Sequence, residues 1–545
     1  MAAPAPPPPP PATPPPPPGR IARLASHLPG RARSAAARLP GAMAPPIEAG
    51  TPTPRVAIIG SGYGGIAMGC RLRQAGIETF TIHEKGEGIG GTWRDNTYPG
   101  AACDVPSALY SLSFAPKPDW SRTFPAQPEI LGYLEGVVDE FGLRPHLRLR
   151  SELTDAEWDD AESCWHLGFA DGRREDAEVL VAATGQLYRP HIPAIAGLET
   201  FGGPMFHSAR WDHDHDPTGE RVGVIGIGAS AIQFVPPVAQ RAYRTTLFQR
   251  TTNYVAPKRD PERSDAAKVA FALLPELQRL YRWSIWLRFE ARWVVFRQGS
   301  RLGRLLQRAF QREIAKLASD DLPLEALVPD HPLGCRRILI SSDWYPTLAR
   351  PDVEVVTAAI DHVEPGAVVT VDGRRHPLDA LVFGTGFEST GFLAPIRIVG
   401  RDGADLHERW ADGAEAHLGI AVAGFPNLFV LYGPNTNLGH NSIVFMLERQ
   451  VAYSLTLIRR LVERGEASVE VRPDAQARSN RRIQAALAGS VWAEGCRSWY
   501  KTASGKITNN WPGPTVQYWW RTLVPRASDL RVRPVVHSGA ERPPG

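Results

Sequence analysis

Two segments of this chain share one grammar, and that repetition constrains its fold more than any other feature. A β-rich run over residues 55–59 leads into Gly60-Ser-Gly62-Tyr-Gly64-Gly65, then a helical stretch to about Gln74, then a second β-rich run ending His83-Glu84-Lys85. In such a unit the first glycine permits a tight turn, the second lets backbone approach a pyrophosphate, and the third lets helix and strand pack closely. The helix N-terminus then presents unpaired N–H groups to the phosphate, and a terminal acid such as Glu84 accepts from ribose hydroxyls. The pattern recurs over residues 221–251, through Gly226-Ile-Gly228-Ala-Ser230-Ala231 to Phe248-Gln249-Arg250-Thr251. Arg250 stands at the same offset from Gly226 as Glu84 does from Gly60. A carboxylate there would repel a 2′-phosphate, whereas arginine pairs with it, so the second site reads as NADPH-binding. Two such sites in one chain suggest hydride passing from one nucleotide to a flavin held by the other.

Around these units, short apolar runs alternate with helical stretches from residue 55 to about 525. This predicts α/β architecture with two Rossmann-like dinucleotide-binding domains and parallel sheets. Strands are expected at 55–59, 79–83, 179–183, 221–225, 245–249, 353–357, 379–383 and 428–432. The boundaries drawn are a discontinuous first domain (51–195 and 379–525), a second domain (196–378) with a helical insertion at about 263–320, and a tail (526–545). Twelve of the first 18 residues are proline, and residues 1–50 read as a disordered Pro/Ala/Arg-rich head. Translation from Met43 and a transit-like role for the arginines of residues 20–38 are both open. No secretory leader pattern precedes Met43.

Charge narrows the partners. The net +4 is concentrated in residues 1–42, with five arginines and no acid, and in 279–312, with nine arginines against Glu290 alone. Two local basic segments on an otherwise acidic chain argue against nucleic-acid binding. Within the second segment Trp286, Phe289, Trp293 and Phe296 recur at helical spacing. They form either a lid packed on a substrate cleft or an interfacial helix in peripheral contact with anionic lipid. The five cysteines (70, 103, 164, 335, 496) are too few and scattered for a disulfide framework or a metal site, and the closest pair in sequence offers no dithiol for a disulfide reductase. That usage, with no apolar run long enough to span a membrane, places the chain in the cytoplasm, with peripheral membrane attachment open. Oligomeric state is not specified.

Residues 90–104 read Gly-Gly-Thr92-Trp93-Arg-Asp-Asn-Thr-Tyr98-Pro-Gly100-Ala-Ala-Cys-Asp104, and residues 201–212 read Phe201-Gly-Gly203-Pro-Met-Phe-His207-Ser-Ala-Arg-Trp211-Asp212. These resemble the GGxWxxxxYPGxxxD and FxGxxxHxxxW[PD] signatures of Baeyer-Villiger monooxygenases, within the class B flavin-containing monooxygenases. The resemblance implies FAD and NADPH as cofactors, and O2 and a ketone as substrates, oxygen adding at the flavin C4a before attack on the carbonyl to give an ester or lactone. Carried onto this chain, it implies FAD contacts from Gly60, Gly62, Gly65, Glu84, Thr92, Trp93, Asp104 and Tyr110. NADPH contacts would come from Gly226, Gly228, Ser230, Gln233, Arg250, Thr251, Arg336 and Trp499. Arg337 would be catalytic, with Asp104 beside it as its orienting acid, and His207 would couple the two domains. Ala183-Thr184-Gly185 and Gly384-Thr385-Gly386-Phe387 resemble the crossover turns between domains. Residues 501–514 lack the GAN sequence of cyclohexanone-type members, which leaves the substrate class open. A sulfur- or nitrogen-oxygenating enzyme and a non-catalytic redox-sensing flavoprotein remain as alternatives.

Overall fold

The computed structural model describes residues 45–319, 322–494 and 499–535, so most of the proline-rich head lies outside the described residues. In chain order, the first elements that build the site are β1 (Val56–Ile59), α1 (Tyr63–Gln74), β2 (Phe80–His83), β3 (Leu147–Arg148), β4 (Val179–Ala182), β5 (Met205–His207), β6 (Arg221–Ile225), α2 (Ala231–Ala239) and β7 (Arg244–Phe248). There follow α3 (Asp265–Leu273), α4 (Pro275–Ala291), α5 (Arg301–Ala315), β8 (Val353–Val356), β9 (Ala380–Phe383), β10 (Leu428–Val430), α6 (Ile443–Arg464) and α7 (Thr515–Arg521).

These strands form two five-stranded sheets, in the orders β10-β4-β1-β2-β3 and β8-β7-β6-β9-β5, and every pairing in both is parallel. The strands are legible because a parallel strand covered on both faces is apolar throughout. β1, β4, β9 and β10 are buried at every position. β3 and β5, two and three residues long, are too short to show a strand pattern in the sequence. Helices α1 and α6 cover one face of the first sheet with a shared core that includes Ile66, Met68, Val444 and Val451. Helix α6 is defined at both ends by its own sequence. Ser442 caps it by accepting from the Val444 N–H, and Gly465 closes it in a left-handed conformation.

Each glycine-rich loop lies against one of the two crossover turns. A Cβ on Gly60, which has φ +104°, would sit 2.6 Å from the Ala183 carbonyl oxygen, and one on Gly226 would sit 2.6 Å from the Gly384 oxygen. The connecting segments also pair with each other, through a bridge between Pro190 and Phe387 and the His191 N–H donating to the Gly386 oxygen. Outside the two sheets, Leu153–Asp159, Cys164–Phe169 and Arg174–Ala177 form an antiparallel unit that Arg397–Val399 joins.

Helices α3, α4 and α5 occupy the stretch read as helical, between β7 and β8. Its aromatic stripe faces inward: Trp286 Nε1 donates to Thr515 Oγ1 (3.0 Å), Trp293 Nε1 donates to the Pro512 oxygen (3.1 Å), and Phe296 is buried. Those rings are therefore not available to lipid. Two other expectations change. Residues 530–534 of the tail form a strand antiparallel to Glu466–Val471. Cys335 is disulfide-bonded, while Cys70, Cys103 and Cys164 are free, so sequence separation did not exclude a pairing. Among the described residues no helix is long and apolar enough to cross a membrane.

The second fingerprint has a packing reason as well. A Cβ on Gly203 would fall 2.0 Å from the Asp379 oxygen just before β9. Gly203→Ala is therefore expected to destabilise the protein by about 1–3 kcal/mol or more. By contrast, Gly136→Ala, in open space within the helix Gln127–Glu140, should stabilise it by about 0.5–1 kcal/mol. Denaturant midpoints of the two variants would check both signs.

Candidate active site

A cleft opens at the carboxyl end of the first sheet, where ligands bind in open α/β folds. Gly60, Gly62, Glu84, Thr92, Trp93 and Tyr110 all line it. Gly65 lies one turn into α1, where a Cβ would meet the Gly60 oxygen at 1.9 Å. Helix α1 starts without a side-chain cap and without an acid in its first turn. Its leading N–H groups and positive dipole end are thus left for an anion. The residues fit a dinucleotide whose pyrophosphate lies over this turn.

Glu84 does more than wait for a ribose. Its Oε2 accepts from the Ser61 N–H (3.0 Å) and Ser61 Oγ (2.8 Å), and its Oε1 from the Gly86 N–H (2.8 Å) and Arg94 Nη1 (2.7 Å). Those four bonds use the four acceptor sites of a carboxylate. Arg94 and the backbone donors hold the buried acid below the usual carboxylate range, against the opposing effect of burial. Arg94 was missed in the sequence although it lies inside the first fingerprint. Tyr110 closes the other side: its hydroxyl accepts from Trp93 Nε1 (3.1 Å), and its carbonyl accepts from the Tyr63 hydroxyl (2.9 Å).

Asp104 and Arg337 come together across 233 residues of chain. Arg337 Nε donates to Asp104 Oδ2 (2.9 Å) and Nη2 to Oδ1 (2.7 Å), a fork-to-fork pair with each side chain about one-third exposed (34% and 31%). The carboxylate raises the Arg337 pKa further above its already high value, so the cation is permanent. Two tyrosines feel its charge. Burial pushes the Tyr500 phenol up to about 12 and raises that of Tyr432 as well, and in both Arg337 acts in the opposite direction. Tyr432 lines the cleft immediately after β10, in a left-handed conformation (φ +59°), with its hydroxyl donating to Asn437 Oδ1 (2.7 Å). A bulky residue held at positive φ marks a place where surrounding structure imposes strain. Its signal in the sequence was the end of a parallel strand at the ligand-binding edge, in Leu-Tyr-Gly-Pro.

The second loop opens on α2, which likewise starts with neither a side-chain cap nor an acid. Gly226 and Gly228 precede it. Gln233 is engaged with the first unit: its Oε1 accepts from the Ala102 N–H (2.8 Å) and its Nε2 donates to the Tyr98 hydroxyl (3.4 Å), near which Ser230 also stands. Both fingerprints meet on this helix, because Tyr98 and Trp211 each pack on the Phe234 ring, at 5.9 and 5.3 Å between centroids. Arg336 Nη1 donates to Thr251 Oγ1, and burial lowers the Arg336 pKa, with Asp330 opposing that shift and the nearby Arg250 charge adding to it. Arg250, Thr251 and Arg336 thus form one cationic cluster, with Arg250 exposed. Trp499 packs against Tyr500, the two rings tilted with centroids 4.4 Å apart, and its carbonyl accepts from Ser389 Oγ.

His207 ends β5 packed 5.6 Å from the Phe387 ring of the second crossover turn, and its Nδ1 accepts from the Ala209 N–H. Burial lowers its pKa from 6.5 to about 4, so it is neutral at pH 7. Because the folded pKa lies below the unfolded one, the unfolded state binds more protons between those values. Stability is expected to fall as pH drops from about 6.5 to about 4, and His207→Gln should flatten part of that slope in thermal melts. An unchanged slope would mean the imidazole is accessible to protons in the folded state.

Residues 57–291 match the family model described as pyridine nucleotide-disulphide oxidoreductase. The chain is 45% identical over 85% of its length, and 90% of the relative's, to a Baeyer-Villiger monooxygenase of Streptomyces coelicolor. It is 43% identical to one of Pseudomonas aeruginosa, over 86% of this chain and 88% of the relative. Among solved structures it is similar to an oxidized steroid monooxygenase bound to NADP, at 32% identity and a TM-score of 0.79 over 88% of this chain and all of that one. A closed cyclohexanone monooxygenase matches at 28% identity and a TM-score of 0.79, over 89% of this chain and all of that one.

Proposed function

Since the chain belongs to the Baeyer-Villiger monooxygenases of the class B flavin-containing family, we propose that it inserts one atom of O2 beside a ketone carbonyl to give an ester or lactone. FAD, reduced by NADPH, would supply the activated oxygen. Gly60, Gly62 and Gly65 with the start of α1 would hold the FAD pyrophosphate, and Trp93 and Tyr110 would flank it. Glu84 would shape the glycine loop, while Arg250, Thr251 and Arg336 would take the 2′-phosphate side of NADPH.

The observation that carries this reading is the forked pair of Arg337 and Asp104. When a carbonyl carbon is attacked it becomes tetrahedral and its oxygen becomes an anion. A unit charge at about 4 Å and an effective dielectric near 20 stabilises such an anion by about 4 kcal/mol. Arginine supplies that charge at every working pH, and Asp104 fixes the plane of the guanidinium so that the remaining donors point at one place. Asp104 is the positioning residue and Arg337 the catalytic one.

Arg337→Ala should leave flavin reduction by NADPH within about threefold of wild type while ester formation falls by about 100-fold or more. Stopped-flow reduction and product analysis by gas chromatography separate the two steps, and normal ester yield from the variant would remove Arg337 from the chemistry. Arg250→Ala should raise the KM for NADPH about tenfold or more and hardly move that for NADH, since a charged pair with the 2′-phosphate is lost. Equal changes for both coenzymes would assign the 2′-phosphate to other residues.

A further inference from the structure

Helix α4 is firmly seated on its inner side. Arg282 Nη1 donates to the Ala108 and Ser111 oxygens (2.7 and 2.8 Å), and Glu290 accepts from Thr515 Oγ1 (2.7 Å), the Val516 N–H (3.0 Å) and Asn441 Nδ2 (2.9 Å). Its outer side carries what a soluble surface ordinarily lacks. Leu277, Leu280 and Leu287 fall on one face at helical spacing, with Trp283 beside them, and Leu273 and Leu274 extend the strip from α3. All six are exposed, Leu280 by 67% and Leu287 by 64%. The strip continues onto α7, tied to α4 through Thr515 and Val516, where Val516 and Trp520 share a face and Trp520 is 69% exposed. A contiguous apolar face of this kind marks an interaction site.

The charges around it say what covers it. Arg279 pairs with Glu276 and Arg282 with Glu448, but among the described residues the other seven arginines of 279–312 make no ion pair. On α5, helical spacing sets Arg301, Arg304, Arg308 and Arg312 along one side of the exposed surface and Leu302, Leu305 and Leu306 along the other. A second copy of this chain, docked about a twofold axis, would bring the same arginines against each other. Nucleic acid would match the arginines but leave the leucines in water. An anionic membrane surface satisfies both sets: phosphate headgroups take the arginines, leucines enter the acyl boundary, and tryptophans sit at the interface between them. We propose that the outer face of α3–α4, extended by α7 and flanked by the basic α5, docks this enzyme peripherally on anionic lipid. The lipid-facing side is thus the leucine side of α4 and not its aromatic stripe.

The test uses the full-length, FAD-loaded protein with sedimented vesicles of phosphatidylcholine, alone or mixed with phosphatidylglycerol, at low and high salt. Wild type should bind the mixed vesicles about tenfold or more better than the zwitterionic ones, weakening with salt. Leu280→Ser/Leu287→Ser/Trp520→Ser should lose about tenfold in binding, and Arg304→Gln/Arg308→Gln should lose binding only to the anionic vesicles. Both variants should keep wild-type flavin content and NADPH oxidation in solution, since these side chains are exposed and distant in role from the cleft. Absence of binding to mixed vesicles at low salt overturns the proposal. So does binding that the leucine variant leaves unchanged, which is adsorption by charge alone, or a concentration-dependent dimer that the same variant dissociates, which assigns the face to a second copy.

Discussion

The two halves of this molecule have to agree on where Asp104 and Arg337 stand, and much of its architecture follows from that requirement. An ion pair only partly open to solvent is useful when its geometry is imposed from both sides, because desolvation otherwise cancels much of its attraction. Asp104 lies on a loop of the first unit, yet that loop is braced by the second, through Gln233 on the Ala102 N–H and Phe234 against Tyr98. Arg337 lies in the second unit, next to Arg336 and its Thr251 partner. The pair is therefore a joint as well as a charge. Displacing either half by an ångström would loosen the fork before it disturbed either sheet.

Much of this was legible in the sequence, and the reasons differ from residue to residue. The two glycine loops could be read because steric demands leave few alternatives: a Cβ on Gly65 would stand 1.9 Å from a carbonyl oxygen. The parallel strands could be read because burial on both faces leaves an unbroken apolar run. Asp104 alone would have passed for a turn residue, and only its place in a fingerprint set it apart. The periodicity of Trp286, Phe289 and Trp293 told which residues share a face but not which way the face turns. That was decided by Thr515 and Pro512, more than two hundred residues away. The same distance problem hid Tyr432, whose meaning comes from the cation it approaches.

Function in this fold divides along charge. The first unit presents Glu84, already held by protein donors, beside an α1 N-terminus that carries no acid in its first turn. The second presents Arg250 and Arg336 within reach of each other's fields, with Asp330 acting against that repulsion at Arg336. One site is thus held by its own donors before a ligand arrives, and the other gathers positive charge. A nucleotide with a 2′-phosphate would gain from that concentration of positive charge, which is a source of selectivity independent of any contact to the base.

Glu84 has a kinetic corollary. Because its carboxylate has already fixed the Ser61 and Gly86 backbone through hydrogen bonds inside the fold, the conformational freedom of the turn is surrendered during folding and not during capture. A dinucleotide then meets a rigid mould, and its rate of entry is set by encounter and by shedding water from the phosphates. Release carries the complementary penalty, since a mould that cannot relax when emptied gains no entropy from letting go. Slow escape of the flavin would follow from an acid that never needs to touch it.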